Sequence, residues 1–332
     1  MAADFPVRAV HGGSGKLQQE KTHKKVLDFS ASVNPLPPRF TWHCDPEKLV
    51  LYPDDSYTQL KGAIARAFNR HTDEICVGNG SIELIRAFCS VTLKGDRKYF
   101  FEQPTFGEYD LSARLAGATC ANQLNEADVC FVCNPNNPTG TIRSQTEMKN
   151  FLNIMASNNG ILFADEAFIE LSDPSVTLSD VKDPNLFVLH SLTKSFSVPG
   201  IRFGYGFGDP GLIEKIETSR APWSVNAFAE AFAMEAFTHF KDLALSRKLI
   251  VKERDWLDSQ LKSMGLNPKP SQANFLLIEC GKNVTLICDR LMNESILVRD
   301  CTSFGLPSCI RIAVRTREEN RILIEALVRC MR

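Results

Sequence analysis

The sequence predicts an α/β protein, with a mostly parallel central sheet covered by helices on both faces and a smaller α+β lobe. Three observations predict this. From about residue 70 to 220, short apolar runs alternate with amphipathic stretches, the pattern of strand–helix units in a parallel sheet. A long helical stretch over 226–264 then leads away, and two strand-like runs with helices close the chain. The 332 residues exceed one typical domain, so two lobes are expected.

The first thirty or so residues show no period, and residues 1–40 are expected to form an irregular arm on the small lobe or on a partner subunit. In the large lobe, 41–230, apolar runs place strands at 75–77, 98–102, 129–133, 161–164, 186–190 and 201–207. Amphipathic spacing places helices at 81–91, 107–116 and 145–157, the last with Ser144 as N-cap. In the small lobe, 231–332, strands fall at 274–279 and 310–314, and helices at 284–291 and 317–328.

Composition bounds the function. Apolar residues make up 44 % of the chain and charged residues 23 %, enough for a large core. A formal net charge of −1 excludes a global basic field for nucleic acid. There is no apolar run of bilayer length and no secretory h-region, so a cytoplasmic protein without a membrane partner is expected. The eleven cysteines are scattered and odd in number. Cys130 and Cys133 form a CxxC, which reads either as a redox or metal pair or as two thiols of a buried strand. The second reading is preferred, because no second CxxC completes a zinc site, and no metal is expected.

Four segments carry chemistry. Lys194 follows an apolar strand and precedes the turn Pro199-Gly200, which puts it at the carboxyl end of the sheet, where α/β ligand crevices lie. Hydroxyls of Ser191 and Thr193 and the guanidinium of Arg202 surround it. A lysine among anion-binding groups suits a carbonyl cofactor carrying a phosphate. Asp165 ends another apolar run, where a carboxylate needs a cationic partner or a capping role. Asn134 to Gly140 reads as a rigid turn that presents Asn137. Gly80, Ser81 and Ile82 open a helix after a strand, so their amides can cradle a phosphate. The run His11–Lys16 lacks the earlier glycine of a nucleotide loop, and ATP binding there is rejected.

In order and spacing these segments, with Pro104-Thr105-Phe106-Gly107, resemble the fold-type-I pyridoxal-5′-phosphate (PLP) enzymes. Within these the chain is similar to the branch containing histidinol-phosphate aminotransferase and threonine-phosphate decarboxylase. The resemblance implies PLP held covalently by Lys194, with Phe106 stacked on the ring, Asn137 at its phenolic oxygen and Asp165 at its nitrogen. It implies that Gly80, Ser81, Ile82, Ser191 and Arg202 hold the phosphate. Tyr52 resembles a tyrosine that reaches a neighbouring subunit's cofactor phosphate, implying a homodimer with shared sites. Phe168 stands where aminotransferases of this branch often carry tyrosine.

The segments 11–13, 27–36, 165–169, 221–226 and 311–315 resemble the decarboxylase members of the branch. That implies decarboxylation of L-threonine O-3-phosphate to (R)-1-amino-2-propanol O-2-phosphate in cobalamin biosynthesis. Phosphoserine as substrate, or a histidinol-phosphate aminotransferase, is the alternative. A phosphorylated amino acid presents two anions. His11, Ser32, Asn137, Arg299, Arg311 and Arg315 are the expected substrate contacts, with Arg311 and Arg315 on one face of a strand.

Overall fold

The computed structural model describes residues 5–281 and 284–331. The amino-terminal segment is more regular than its sequence suggests. It carries helix α1 (Gly15–Thr22) and a two-residue strand β1 (Leu27–Asp28). The helix GKLQQEKT has almost no apolar stripe, so no periodic signal could announce it.

The large lobe begins with α2 (Thr58–Phe68), β2 (Ile75–Gly78) and α3 (Ser81–Thr92). It continues through β3 (Lys98–Phe101), α4 (Glu108–Leu115), β4 (Thr119–Cys120) and β5 (Val129–Cys133). Then come α5 (Gln145–Ser157), β6 (Ile161–Asp165), β7 (Leu186–Ser191), α6 (Leu192–Ser195), β8 (Gly204–Phe207) and α7 (Pro210–Ser219). Ser144 caps α5 in a reciprocal capping box with Glu147, as its sequence predicts.

The seven strands lie in the order β2-β8-β7-β6-β5-β3-β4. All pairings are parallel except those of β8, which runs antiparallel to β2 and β7. β8 is also shorter than the predicted 201–207, because the chain turns through Pro199-Gly200 and Arg202 takes a left-handed φ of 61°. Period-two alternation sorts the strands between two cores. Leu186 and Val188 of β7 pack in one apolar cluster, Phe187 and Leu189 in the other. Cys130 and Cys133 of β5 divide in the same way, so this CxxC is two buried apolar thiols on opposite faces.

The stretch 226–264 is two helices, α8 (Ala227–Ala236) and α9 (Leu243–Ser263), joined by a 3₁₀ turn. The small lobe follows with β9 (Asn267–Pro268), β10 (Phe275–Glu279), α10 (Val284–Asn293), β11 (Ile296–Leu297), β12 (Arg299–Asp300), β13 (Cys309–Ala313) and α11 (Arg317–Met331). A four-stranded sheet, β12-β13-β10-β9, packs on α9, α10 and α11. β1 pairs in parallel with β11, and Ala313 N–H donates to Phe29 C=O at 2.8 Å. The arm is thus stitched to the small lobe.

Candidate active site

A cavity of about 290 Å³ opens at the carboxyl ends of β5, β6 and β7 and is closed by the arm and the small lobe. Lys194, on the single turn α6, is half-buried there. Burial, then the guanidinium charges of Arg311 and Arg202, push its amine down to about 8. A lysine so depressed supplies free base near neutral pH, which carbonyl chemistry requires. Lys194 C=O accepts from Asn34 N–H at 2.9 Å. The Asn34 side chain donates to Ser195 C=O at 2.7 Å and Ser246 Oγ at 2.9 Å. Asn34 therefore ties the arm to the lysine turn and to α9.

Asp165 ends β6 and lines the same cavity. Burial pushes its carboxyl above the usual range. Tyr109 Oη donating to Oδ2 at 2.7 Å, Ala167 N–H donating to Oδ1 at 3.0 Å, and the charge of His190 all oppose that rise. Tyr109 lies three residues after Phe106 on α4, so one short segment brings both an aromatic wall and a second-layer hydroxyl.

The anion end is built from a helix terminus. Gly80 has φ +80° at the start of α3, and a Cβ built there would overlap the Arg202 guanidinium. The cradle thus requires glycine. The first amides of α3 have no intrahelical acceptor, and Ser81, Ile82, Ser191, Thr193 and Arg202 all line the cavity beside them. A phosphate fits this corner on charge and on donor count.

Opposite stand Arg299 and Arg311, both buried and paired across β12 and β13. Arg311 donates to Asn137 Oδ1 and, at 2.8 Å, to Ser30 C=O. That commits the Asn137 oxygen and leaves its NH₂ as the group able to donate. Arg299 donates to Val10 C=O at 2.8 Å and Ser303 Oγ at 2.6 Å. Nε of both arginines and Ser32 Oγ are buried without hydrogen-bond partners, an arrangement that costs free energy unless an anion or its solvent answers it. His11 Nε2 meets Glu108 at 2.8 Å, and Glu108 also accepts from Arg86 at 3.0 Å. Although burial raises it, those two partners hold the Glu108 carboxyl below its usual range.

The structure brings His11, Ser32, Ser81, Ile82, Phe106, Asn137, Asp165, Ser191, Thr193, Lys194, Arg202, Arg299 and Arg311 to one cavity, with Gly80 against Arg202. Two expected residues stay outside it. Strand β13 ends at Ala313, so Arg315 does not continue the face of Arg311; it bonds Asp28 C=O at 3.1 Å and Glu319 at 2.6 Å. Tyr52 is 79 % exposed and packs on Trp223, their ring centroids 4.5 Å apart. Sequence reasoning missed Tyr109, Glu108 and the bracing role of Asn34. The i, i+3 spacing from Phe106 was the available signal for Tyr109. Among the described residues, no cluster of histidines, cysteines and carboxylates is arranged to hold a metal, and no helix is long and apolar enough to cross a membrane.

Residues 14–327 match the family model described as aminotransferase class I and II. The chain is 34 % identical over 90 % of its length, and 88 % of the other's, to a protein of Caldanaerobacter subterraneus subsp. tengcongensis named "Putative threonine-phosphate decarboxylase". It is 30 % identical over 83 % of its length, and 81 % of the other's, to a histidinol-phosphate aminotransferase of Symbiobacterium thermophilum. A solved histidinol-phosphate aminotransferase of Sinorhizobium meliloti, in complex with pyridoxal-5′-phosphate, shares the fold with a TM-score of 0.85. At 20 % identity the two align over 99 % of this chain and 95 % of that one.

Proposed function

From the premise that this chain belongs to the class I and II aminotransferase family, we propose that it is a PLP-dependent decarboxylase of a phosphorylated amino acid, with L-threonine O-3-phosphate as substrate. The observation that carries the reading is one cavity holding a depressed lysine amine, a buried carboxylate and two arginines with uncommitted donors. The residues fit the coenzyme: Lys194 as the covalent anchor, Asp165 at the ring nitrogen, Phe106 against the ring, Asn137 at its oxygen, and the α3 corner with Ser191 and Arg202 at its phosphate. Bound there, PLP supplies a ring that accepts the electron pair released at the substrate's α-carbon.

What the chain contributes is placement. With the coenzyme held there, the outcome would depend on where the chain fixes the substrate's carboxylate: a decarboxylase would anchor it as the group to be lost, and an aminotransferase would anchor it so that the Cα–H is the group to be lost. Holding carboxylate and phosphate apart needs two cationic anchors. Arg311, locked by Asn137 and Ser30, and Arg299, held by the arm, supply them, with Ser32 and His11 at the arm's edge. Among the described residues lining the cavity, Lys194 is the amine placed to carry a proton at the reacting carbon. The identity to the relative named as a decarboxylase and the arm segments 11–13 and 27–36 support this choice.

Transamination of histidinol phosphate is the second reading, favoured by the name of the Symbiobacterium relative. Incubation with phosphothreonine, and separately with histidinol phosphate plus 2-oxoglutarate, decides between them. Release of carbon dioxide without consumption of keto acid is expected. Glutamate formation with no carbon dioxide would overturn the decarboxylase reading. The exposed row Leu49, Val50, Leu51 and Tyr52, with Trp223, is the proposed edge of a homodimer in which Tyr52 reaches the partner's site.

A further inference from the structure

Directly behind Asp165, on the other face of the sheet, lies a buried ionic cluster that the proposed chemistry does not use. Phe163 and Asp165 of β6 belong to one face, Leu162 and Ala164 to the other. The next residue, Glu166, is fully buried and donates its N–H to Leu189 C=O of β7 at 2.8 Å. Beside Leu189 is His190, 1 % exposed. Its Nδ1 meets Glu170 at 2.6 Å, and its Nε2 meets Ser179 Oγ at 2.8 Å and Glu166 at 3.3 Å. Both ring nitrogens therefore face carboxylate oxygens, an arrangement that only the doubly protonated ring satisfies. The register Asp165↔Leu189 puts this cation one residue from the partner of Asp165 on the adjoining strand.

Charge bookkeeping gives the cluster its meaning. Asp165, Glu166 and Glu170 place three carboxylates within six residues, all buried. The titratable and charged groups around His190 are Glu166 and Glu170, Tyr205 of β8 stacked at 5.2 Å, and Lys241 and Arg247, which line a small cavity with Glu170. Arg247 donates to the Glu170 carbonyl at 2.9 Å rather than to its carboxylate. One Glu170 carboxylate oxygen has no hydrogen-bond partner, and Tyr205 reaches the other at 3.4 Å. Remove the imidazolium, and two uncompensated carboxylates press on Asp165 from behind.

We propose that His190 is a positioning residue that keeps Asp165 a carboxylate, countering Glu166 and Glu170 through the thickness of the sheet. Asp165 can serve a protonated ring nitrogen only in that form, so this inference rests on the coenzyme reading above. Its effect on Asp165 itself does not need the coenzyme.

The test reads the Asp165 carboxyl directly, by ¹³C NMR of the full chain labelled at aspartate, with the resonance assigned by its loss in Asp165→Asn. His190→Gln is expected to raise the Asp165 midpoint by about one unit or more, and His190→Arg to restore it. Glu170→Gln, which removes a negative charge and keeps the shape, is expected to lower it. A role confined to packing would cost stability in each variant and leave the midpoint where it was. An unmoved midpoint in folded His190→Gln overturns the proposal. Should that variant not fold, an unmoved or raised midpoint in Glu170→Gln does so. Spectra with and without added pyridoxal phosphate separate the two claims: a chain that binds no coenzyme sinks the functional reading, while the coenzyme-free midpoints still judge His190.

Discussion

The chemistry proposed for Lys194 depends on its surroundings more than on its identity. Its amine is brought down to about 8 by burial and by two guanidiniums, so the reactive free base accumulates as pH rises through about 8 instead of through the usual lysine range near 10.5. Attachment of PLP to the coenzyme-free protein should therefore accelerate with a midpoint near pH 8, followed by absorbance in stopped flow. Arg202→Ala, which removes one of the depressing charges, should move that midpoint upward. Arg311 serves a different end. It is a fork locked on Asn137 and Ser30, and lysine cannot reproduce such a fork. Arg311→Lys should weaken substrate binding by roughly tenfold or more, measured as KM for the phosphorylated amino acid, while the dissociation constant of PLP changes far less. At this scale the sequence was informative about side chains within motifs and silent about those that act through another. His190 sits inside the apolar run of β7, where nothing marks a cation as different from a packed ring, and Tyr109 stands between Glu108 and Asp110, where only its spacing from Phe106 marks it.

Among elements, the legible ones are those whose burial imposes a period. β5, β6 and β7 are covered on both faces and so read as continuous apolar runs. α5 carries its capping box in plain sequence. What stayed hidden was short or polar. The two-residue strands β1, β4, β9, β11 and β12 are too brief for alternation to register, and α1 is polar around most of its circumference. Arg315 was misplaced because β13 stops two residues earlier than a four-residue strand argument needs. The junction of β8 and α3 yields a prediction of its own. A Cβ on Gly204 would overlap the backbone of Ser81, and so would push the anion-binding end of α3 off its strand. Gly204→Ala should weaken PLP binding by about tenfold or more through that displacement, read by titrating the coenzyme-free protein. Equal affinity in the variant would count against this corner as the phosphate site.

At the largest scale, the described residues gather a seven-stranded sheet, a four-stranded sheet and the amino-terminal arm around the cavity that holds Lys194. The large-lobe sheet supplies Asp165 and Lys194 from strand ends, where parallel architecture gathers ligands; the small lobe supplies Arg299 and Arg311; the arm supplies His11 and Ser32. The arm's pairing with β11 left no mark in the sequence, because it depends on chain distant in sequence. Global stability should carry the signature of His190. Against the penalty of burial, Glu170 and Glu166 hold its imidazolium up to about 10, compared with 6.5 in the unfolded chain. The raised value means that this contribution is fully present below about pH 6.5 and is lost as pH rises through about 10. Thermal melts should fall in Tm over that window, and His190→Gln should flatten the fall.

The proposed chemistry turns on a coenzyme aldehyde bonded to one lysine at the end of β7. Borohydride reduction of the PLP-loaded protein, followed by proteolysis and mass spectrometry of the modified peptide, tests it most directly. A single pyridoxyl-phosphate adduct is expected on Lys194, absent from Lys194→Ala. Coenzyme that washes away after reduction, or that is fixed to a peptide without residue 194, would contradict it.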